Sequence, residues 1–107
     1  MQRILFVCTA NLQRSPTAEE LYKSKPGIEV KSAGVSSLAK TPITQELVDW
    51  ADIIFVMEKN QRNIILRKFK NVFRKKTIIN LDIPDIYEYM DPVLQTELRS
   101  KISRYLQ

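Results

Sequence analysis

Apolar and polar positions along the chain fall into a repeating order. Ile4 to Val7 is a run of four apolar residues that ends in a polar loop. A short continuous run of this kind reads as a strand buried on both faces. Ser15 then offers an N-cap and Pro16 a first helical residue, with Ala18, Leu21 and Tyr22 facing inward and Pro26-Gly27 as the stop. Ile28 to Ser32 alternates, which predicts a strand with one solvated face, at an edge of the sheet. Gly34 and the serines after it form a loop, and Thr41-Pro42 is expected to open a short helix carrying Leu47, Val48 and Ala51. Ile53 to Met57 is a further buried strand, followed by a basic helix over about Asn60 to Phe69, and Thr77 to Leu81 is the fourth strand. A polar loop leads to Asp91-Pro92, a cap and first turn, and to a last helix whose stripe is Leu94, Leu98, Ile102 and Leu106.

Strands that alternate with helices predict an α/β fold: a four-stranded parallel sheet with helices on both faces. The 107 residues suffice for one domain, residues 1–107, and are too few for two. In such sheets ligands bind beyond the carboxyl ends of the strands, where Cys8 lies.

Composition narrows the chemistry. The single cysteine and the absence of histidine leave no ligand set for a structural zinc site and no Ser-His-Asp or Cys-His mechanism. No metal or cofactor is therefore expected, and catalysis must use Cys8, carboxylates, hydroxyls, lysine or arginine. No apolar stretch approaches membrane-spanning length, and the first run is too short for a signal peptide. The expectation is a cytoplasmic protein without membrane contact. Of the net charge of +5, the distribution says more than the size: Lys59 to Lys76 holds eight basic and no acidic residues, and Asp82 to Asp91 holds four acidic and no basic ones. A solvated helix face accounts for the basic run. Nucleic acid is disfavoured, because only Phe69 and Phe73 could stack on bases and their spacing fits a buried helix face.

The segment Cys8-Thr9-Ala10-Asn11-Leu12-Gln13-Arg14-Ser15 lies between the first strand and the first helix. A loop of this length can turn successive N–H groups inward as an anion nest, with the positive end of the following helix aimed at the same point. Arg14 can hold two phosphate oxygens through its planar fork. The Cys8 thiol then lies at the bottom, in line with the P–O bond. Helix N-termini and cations favour the thiolate, to which the Ser15 hydroxyl can donate.

Val7-Cys8 through Glu19 resembles the signature of the low-molecular-weight protein tyrosine phosphatases, Cys-x5-Arg-Ser-Pro-x-Ala-Glu. Ser32-Ala33-Gly34, Ala51 to Met57 and Ile83-Pro84-Asp85-Ile86-Tyr87 resemble further segments of that family. The resemblance implies the phosphotyrosine protein phosphatase I-like fold and a phosphomonoester hydrolase that forms a phosphocysteine on Cys8. It implies a left-handed Asn11 that braces the loop, a Ser32 that supports it, and Asp85 as general acid. Asp91 is the alternative acid, although a cap role explains it well; Asp82, directly after the fourth strand, is the third carboxylate of that loop. Leu12 and Tyr87 are the candidates to flank an aryl ring. Substrates would be phosphorylated proteins, tyrosine first, or small aryl phosphates. The chain departs from the family in Ala10 for a glycine, Gln13 for a second loop cysteine, Ile86 for a proline, and a shorter connection between Gly34 and Asp52. A non-catalytic phosphopeptide-binding module remains an alternative. Arsenate reduction on the same loop needs further cysteines, which this chain lacks.

Overall fold

The computed structural model describes residues 1–69, 72 and 76–106. Strands β1 (Gln2–Cys8), β2 (Ile28–Gly34), β3 (Ile53–Val56) and β4 (Thr77–Asn80) form one sheet in the order β2-β1-β3-β4. Every neighbouring pair is parallel. Helices α1 (Arg14–Tyr22), α2 (Gln45–Trp50), α3 (Lys59–Lys68) and α4 (Pro92–Ile102) connect and follow the strands. Among the described residues no helix is long and apolar enough to cross a membrane.

The continuous apolar runs are explained by burial on both faces. Ile4, Phe6 and Cys8 of β1 pack with Ala18 of α1 and with Leu94, Leu98 and Ile102 of α4. Leu5 and Val7 face the other way, against Val48 of α2 and Ile65 of α3. β2 keeps its alternation because it is an edge strand. After β2 the chain crosses to the far side of β1, so the strand order reverses between β1 and β3. That switch point opens a crevice at the carboxyl end of β1, and Cys8 is its last residue.

Local signals misplace two helix starts. Ser15 is not the cap of α1: Gln13 holds that position and Ser15 is already helical, with Pro16 behind it. Pro16 is tolerated there because the first N–H groups of a helix have no intrahelical partner. Thr41-Pro42 does not open α2. Pro42 bridges Gly34, and Thr44 caps the helix, its Oγ1 accepting from Leu47 N at 3.1 Å. The last stripe is buried as far as Leu106, although α4 ends at Ile102.

In the basic run, Lys59, Arg62, Arg67 and Lys68 are exposed while Ile65 and Phe69 are buried, as a solvated helix face requires. Lys76 donates from Nζ to the carbonyls of Asp49 and Ala51 at 2.8 and 2.5 Å, holding the C-terminal end of α2. Phe73 lies outside the described residues.

Candidate active site

The loop from Cys8 to Arg14 is tied outward by its carbonyls. Cys8 O accepts from Val35 N at 3.0 Å, Thr9 O from Ser36 N at 3.1 Å and Ala10 O from Lys40 N at 3.0 Å. A trans peptide points its N–H opposite to its carbonyl. The amides of Thr9, Ala10 and Asn11 therefore point to the inner side of the loop. Asn11 N donates to Cys8 Sγ at 3.2 Å.

Asn11 has φ 58, the left-handed turn that an asparagine tolerates. Its Nδ2 donates to Ser15 Oγ at 2.9 Å and to Ser32 Oγ at 3.0 Å. Ser32 in turn donates to Glu19 Oε1 at 2.5 Å. Ser15 Oγ lies 2.9 Å from Cys8 Sγ and 3.3 Å from Ala33 O. The one hydroxyl proton of Ser15 has two acceptors within reach, the sulfur and the Ala33 carbonyl, and the sulfur is the nearer.

The Arg14 side chain is only 2% exposed, so its charge needs partners nearby. Nη1 donates to Glu58 Oε1 and, at 2.8 Å, to Ile83 O. Nε lies 3.7 Å from Asp85 Oδ1, an ion pair beyond hydrogen-bond distance. Three residues after Glu58, the buried Gln61 accepts at Oε1 from Met57 N and Glu58 N at 2.8 and 2.9 Å. Its Nε2 donates to Thr9 Oγ1 at 3.2 Å. The first turn of α3 thus holds both the arginine and the loop.

Comparison with known proteins places this constellation. The family model described as low molecular weight phosphotyrosine protein phosphatase matches residues 3–48. A probable low molecular weight protein-tyrosine-phosphatase EpsP of Ralstonia nicotianae is 32% identical over 115 aligned positions, covering 81% of this chain and 79% of the relative. The chain belongs to the low molecular weight protein-tyrosine-phosphatase family. That alignment is longer than the 107-residue chain itself, so it runs across segments the relative has and this family member lacks. A protein-arginine-phosphatase of Geobacillus stearothermophilus is 33% identical over 63% of this chain, which spans 62% of that relative's length. Among solved structures, the tyrosine phosphatase Wzb from Escherichia coli K30, in complex with phosphate, superposes with a TM-score of 0.80 at 25% identity. That superposition covers 97% of this chain and 95% of Wzb.

In this family member the remaining predicted residues divide. Asn11 and Ser15 meet the Cys8 sulfur and Ser32 holds Asn11, while Thr9 and Ala10 lie in the same loop and Arg14, at its end, is held by Glu58 and Ile83 O. Gln13 serves as the α1 cap residue, its carbonyl accepting from Thr17 N at 3.1 Å and from Thr17 Oγ1 at 2.6 Å. Asp85 is 63% exposed and reaches the Arg14 Nε edge. Asp91 caps α4, accepting from Val93 N at 2.8 Å, and Asp82 accepts from Asn80 Nδ2 at 2.9 Å. Leu12 is 53% exposed and lines a hollow of about 490 Å³ with Asn11, Pro16, Lys40 and Tyr89. Tyr87 is half-buried against the core layer of Ile4 and Phe6 instead.

Four participants were not read from the sequence: Glu58, Gln61, Tyr89 and Thr17, whose Oγ1 accepts from Met90 N at 2.9 Å. The Glu58-x-x-Gln61 spacing after a strand is a capping-box pattern and could have marked the start of α3. No local signal ties Glu58 to Arg14.

Proposed function

We propose that this chain, acting as one domain, is a phosphomonoester hydrolase of phosphoproteins that works through a phosphocysteine on Cys8. The observation that carries this reading is the floor of the loop, where Cys8 Sγ lies 3.2 Å from the Asn11 amide and 2.9 Å from Ser15 Oγ beneath inward-facing amides. Cys8 Sγ attacks phosphorus as the bond to the leaving oxygen breaks. Asp85, entering as the carboxylic acid, gives its proton to that oxygen. The resulting carboxylate takes a proton from water, which attacks phosphorus and releases the Cys8 sulfur, with the Ser15 hydroxyl donating to it. The loop amides and Arg14 hold the equatorial oxygens, an electrostatic stabilisation fixed in advance of the reaction.

The substrate class we assign is protein phosphotyrosine, in the cytoplasm. Leu12 and Tyr89 put apolar and aromatic surface on the hollow beside the loop, which Glu19, Glu20, Lys23 and Lys40 also line. The test is hydrolysis of a phosphotyrosine peptide, a phosphoarginine peptide and a chromogenic aryl phosphate, each with and without vanadate. Vanadate-sensitive turnover of the aryl and tyrosyl esters is expected, lost in Cys8→Ser while phosphate still binds. Exclusive turnover of the phosphoarginine peptide would overturn the substrate class. Phosphate binding without turnover of any of the three would make the chain a binding module.

A further inference from the structure

We infer that Thr17 is a positioning residue for Tyr89, and through it for aryl selection in the hollow beside the phosphate loop. The inference rests on the aryl-ester reading above. The segment from Asp82 to Asp91 is irregular, so its course is set by a few separate bonds. At its near end Ile83 N donates to Met57 O at 2.8 Å. Among the described residues, Pro84, Asp85, Ile86 and Tyr87 make no backbone–backbone hydrogen bond. The far end is pinned at Met90. Its N–H donates to Thr17 Oγ1 at 2.9 Å, and its carbonyl accepts from Gln95 Nε2 at 2.8 Å. Met90 has φ 62, a left-handed conformation that residues other than glycine rarely adopt. Two bonds, one from α1 and one from α4, hold it there.

Thr17 is fully buried, and its hydroxyl is used both as donor and as acceptor. The proton goes to Gln13 O at 2.6 Å, where the phosphate loop enters α1, and a lone pair receives the Met90 amide. One side chain therefore joins the end of the phosphate loop to a residue 73 positions away. A partly buried amide that loses its acceptor is penalised, and the left-handed backbone gives Met90 further reason to relax once that bond is gone. Tyr89 directly precedes Met90 and lines the hollow with Asn11, Leu12 and Pro16, the last of which directly precedes Thr17 in α1. Consecutive Cα atoms are about 3.8 Å apart, so a fixed Met90 leaves the Tyr89 backbone little room to move off the rim. Asp85 lies close to the near pin at Ile83, so the far pin governs Tyr89 more than the acid. Thr17 acts through Tyr89 and touches no reacting atom.

The experiment compares affinity for phenylphosphonate with affinity for inorganic phosphate. Thr17→Val keeps the branched shape and removes both bonds of the hydroxyl. It should weaken phenylphosphonate by about 3- to 10-fold, the worth of one aromatic contact, and leave phosphate within about twofold. Thr17→Ser restores the hydroxyl and should return phenylphosphonate to near its wild-type affinity. In a Tyr89→Ala background, Thr17→Val should add less than about twofold, because no ring remains to place. Equal weakening of both anions would assign Thr17 to the phosphate loop through Gln13 and overturn the inference. An unchanged phenylphosphonate affinity does the same, as does an equal loss with and without Tyr89. Should Thr17→Val fail to fold, Gln95→Leu releases Met90 from the α4 side; the same pattern there supports the clamp and its absence overturns it. A wild-type chain that binds phenylphosphonate no better than phosphate would sink the aryl reading instead. The positioning role is then read from hydrogen exchange at the Met90 amide. Slow exchange that Thr17→Val accelerates supports it, and fast exchange in wild type or no change in the variant overturns it.

Discussion

Replacing Gly34 by alanine puts a methyl group where the structure has no room for one. A Cβ built on Gly34 would lie 2.5 Å from Thr9 O, 2.6 Å from Ala39 Cβ and 3.1 Å from Ala10 C. The positive-φ glycine of the chain is Gly27, so what Gly34 needs is space and not a left-handed backbone. Two of the three neighbours are backbone atoms of the phosphate loop, which cannot swing aside as a side chain can. Gly34 is itself pinned, donating to Thr41 O at 2.9 Å and accepting from Ile43 N at 2.8 Å. Ordinary contact begins near 3.4 Å, so relief requires the loop and the end of β2 to separate by roughly 1 Å, a misplacement that can cost about 10²-fold in rate.

Overpacking of this kind also costs about 1–3 kcal/mol of stability. The assay is kcat for an aryl phosphate, measured well below the thermal midpoint, beside urea unfolding of the same variant. We expect kcat to fall by about two orders of magnitude while the fold survives. Gly27→Ala is the control. Its Cβ would meet nothing within 4 Å, and the φ of 86 predicts a stability cost without a loss of kcat. A Gly34→Ala enzyme with kcat within about threefold of wild type would refute the view that the loop's position is set by this contact.

Asp85→Asn should lower kcat strongly for poor leaving groups and little for good ones, whereas Asp91→Asn should change neither, since asparagine also caps helices. A leaving-group dependence in Asp91→Asn alone would reverse the assignment of the acid. Asn11→Ala removes the donor shared by Ser15 and Ser32 and places alanine at φ 58. It should cost about 1–3 kcal/mol by urea unfolding and reduce kcat more than KM. Unchanged kcat in that variant would separate the Asn11 network from the chemistry.

What the sequence disclosed depended on whether a signal was local. The β1 and β3 runs were legible because a parallel strand covered on both faces has no polar side to blur the pattern, and the edge strand β4 was legible through Ile78 and Ile79, which pack on the two core layers. Cys8, Arg14 and Ser15 were legible because the anion loop is one continuous segment. The same segment misled the reading of α1: Ser15-Pro16 has the form of a cap and first turn, yet Ser15 turns its hydroxyl to the Cys8 sulfur and the helix starts earlier. Thr41-Pro42 likewise looks like a start, but Thr44 three residues before Leu47 is the side chain that reaches a free amide. Glu58 was out of reach for another reason, since its partner lies 44 residues away and nothing in a strand-to-helix junction indicates a buried arginine. Tyr87 and Tyr89 differ by one alternation in a loop that has no period, with Met90 at φ 62, so composition alone could not choose between them.

The inward set of amides is a consequence of what holds the loop from outside. Each N–H that faces the anion side does so because the carbonyl of the same peptide is bonded to Val35, Ser36 or Lys40. Those three residues lie on the connection that follows β2, and Gly34 sets how closely that connection approaches. The opposite rim is fixed by Gln61 on α3, and the turn at Asn11 by Ser15 and Ser32. The loop's shape is therefore non-local: it exists only where β2 and β3 are paired on either side of β1. Preorganised dipoles are worth most when they need not reorient during the reaction. A short connection that makes these three backbone bonds supplies that field. Substitutions on the outer ties should accordingly reach kcat for every ester alike, and those at Leu12 or Tyr89 should discriminate between esters.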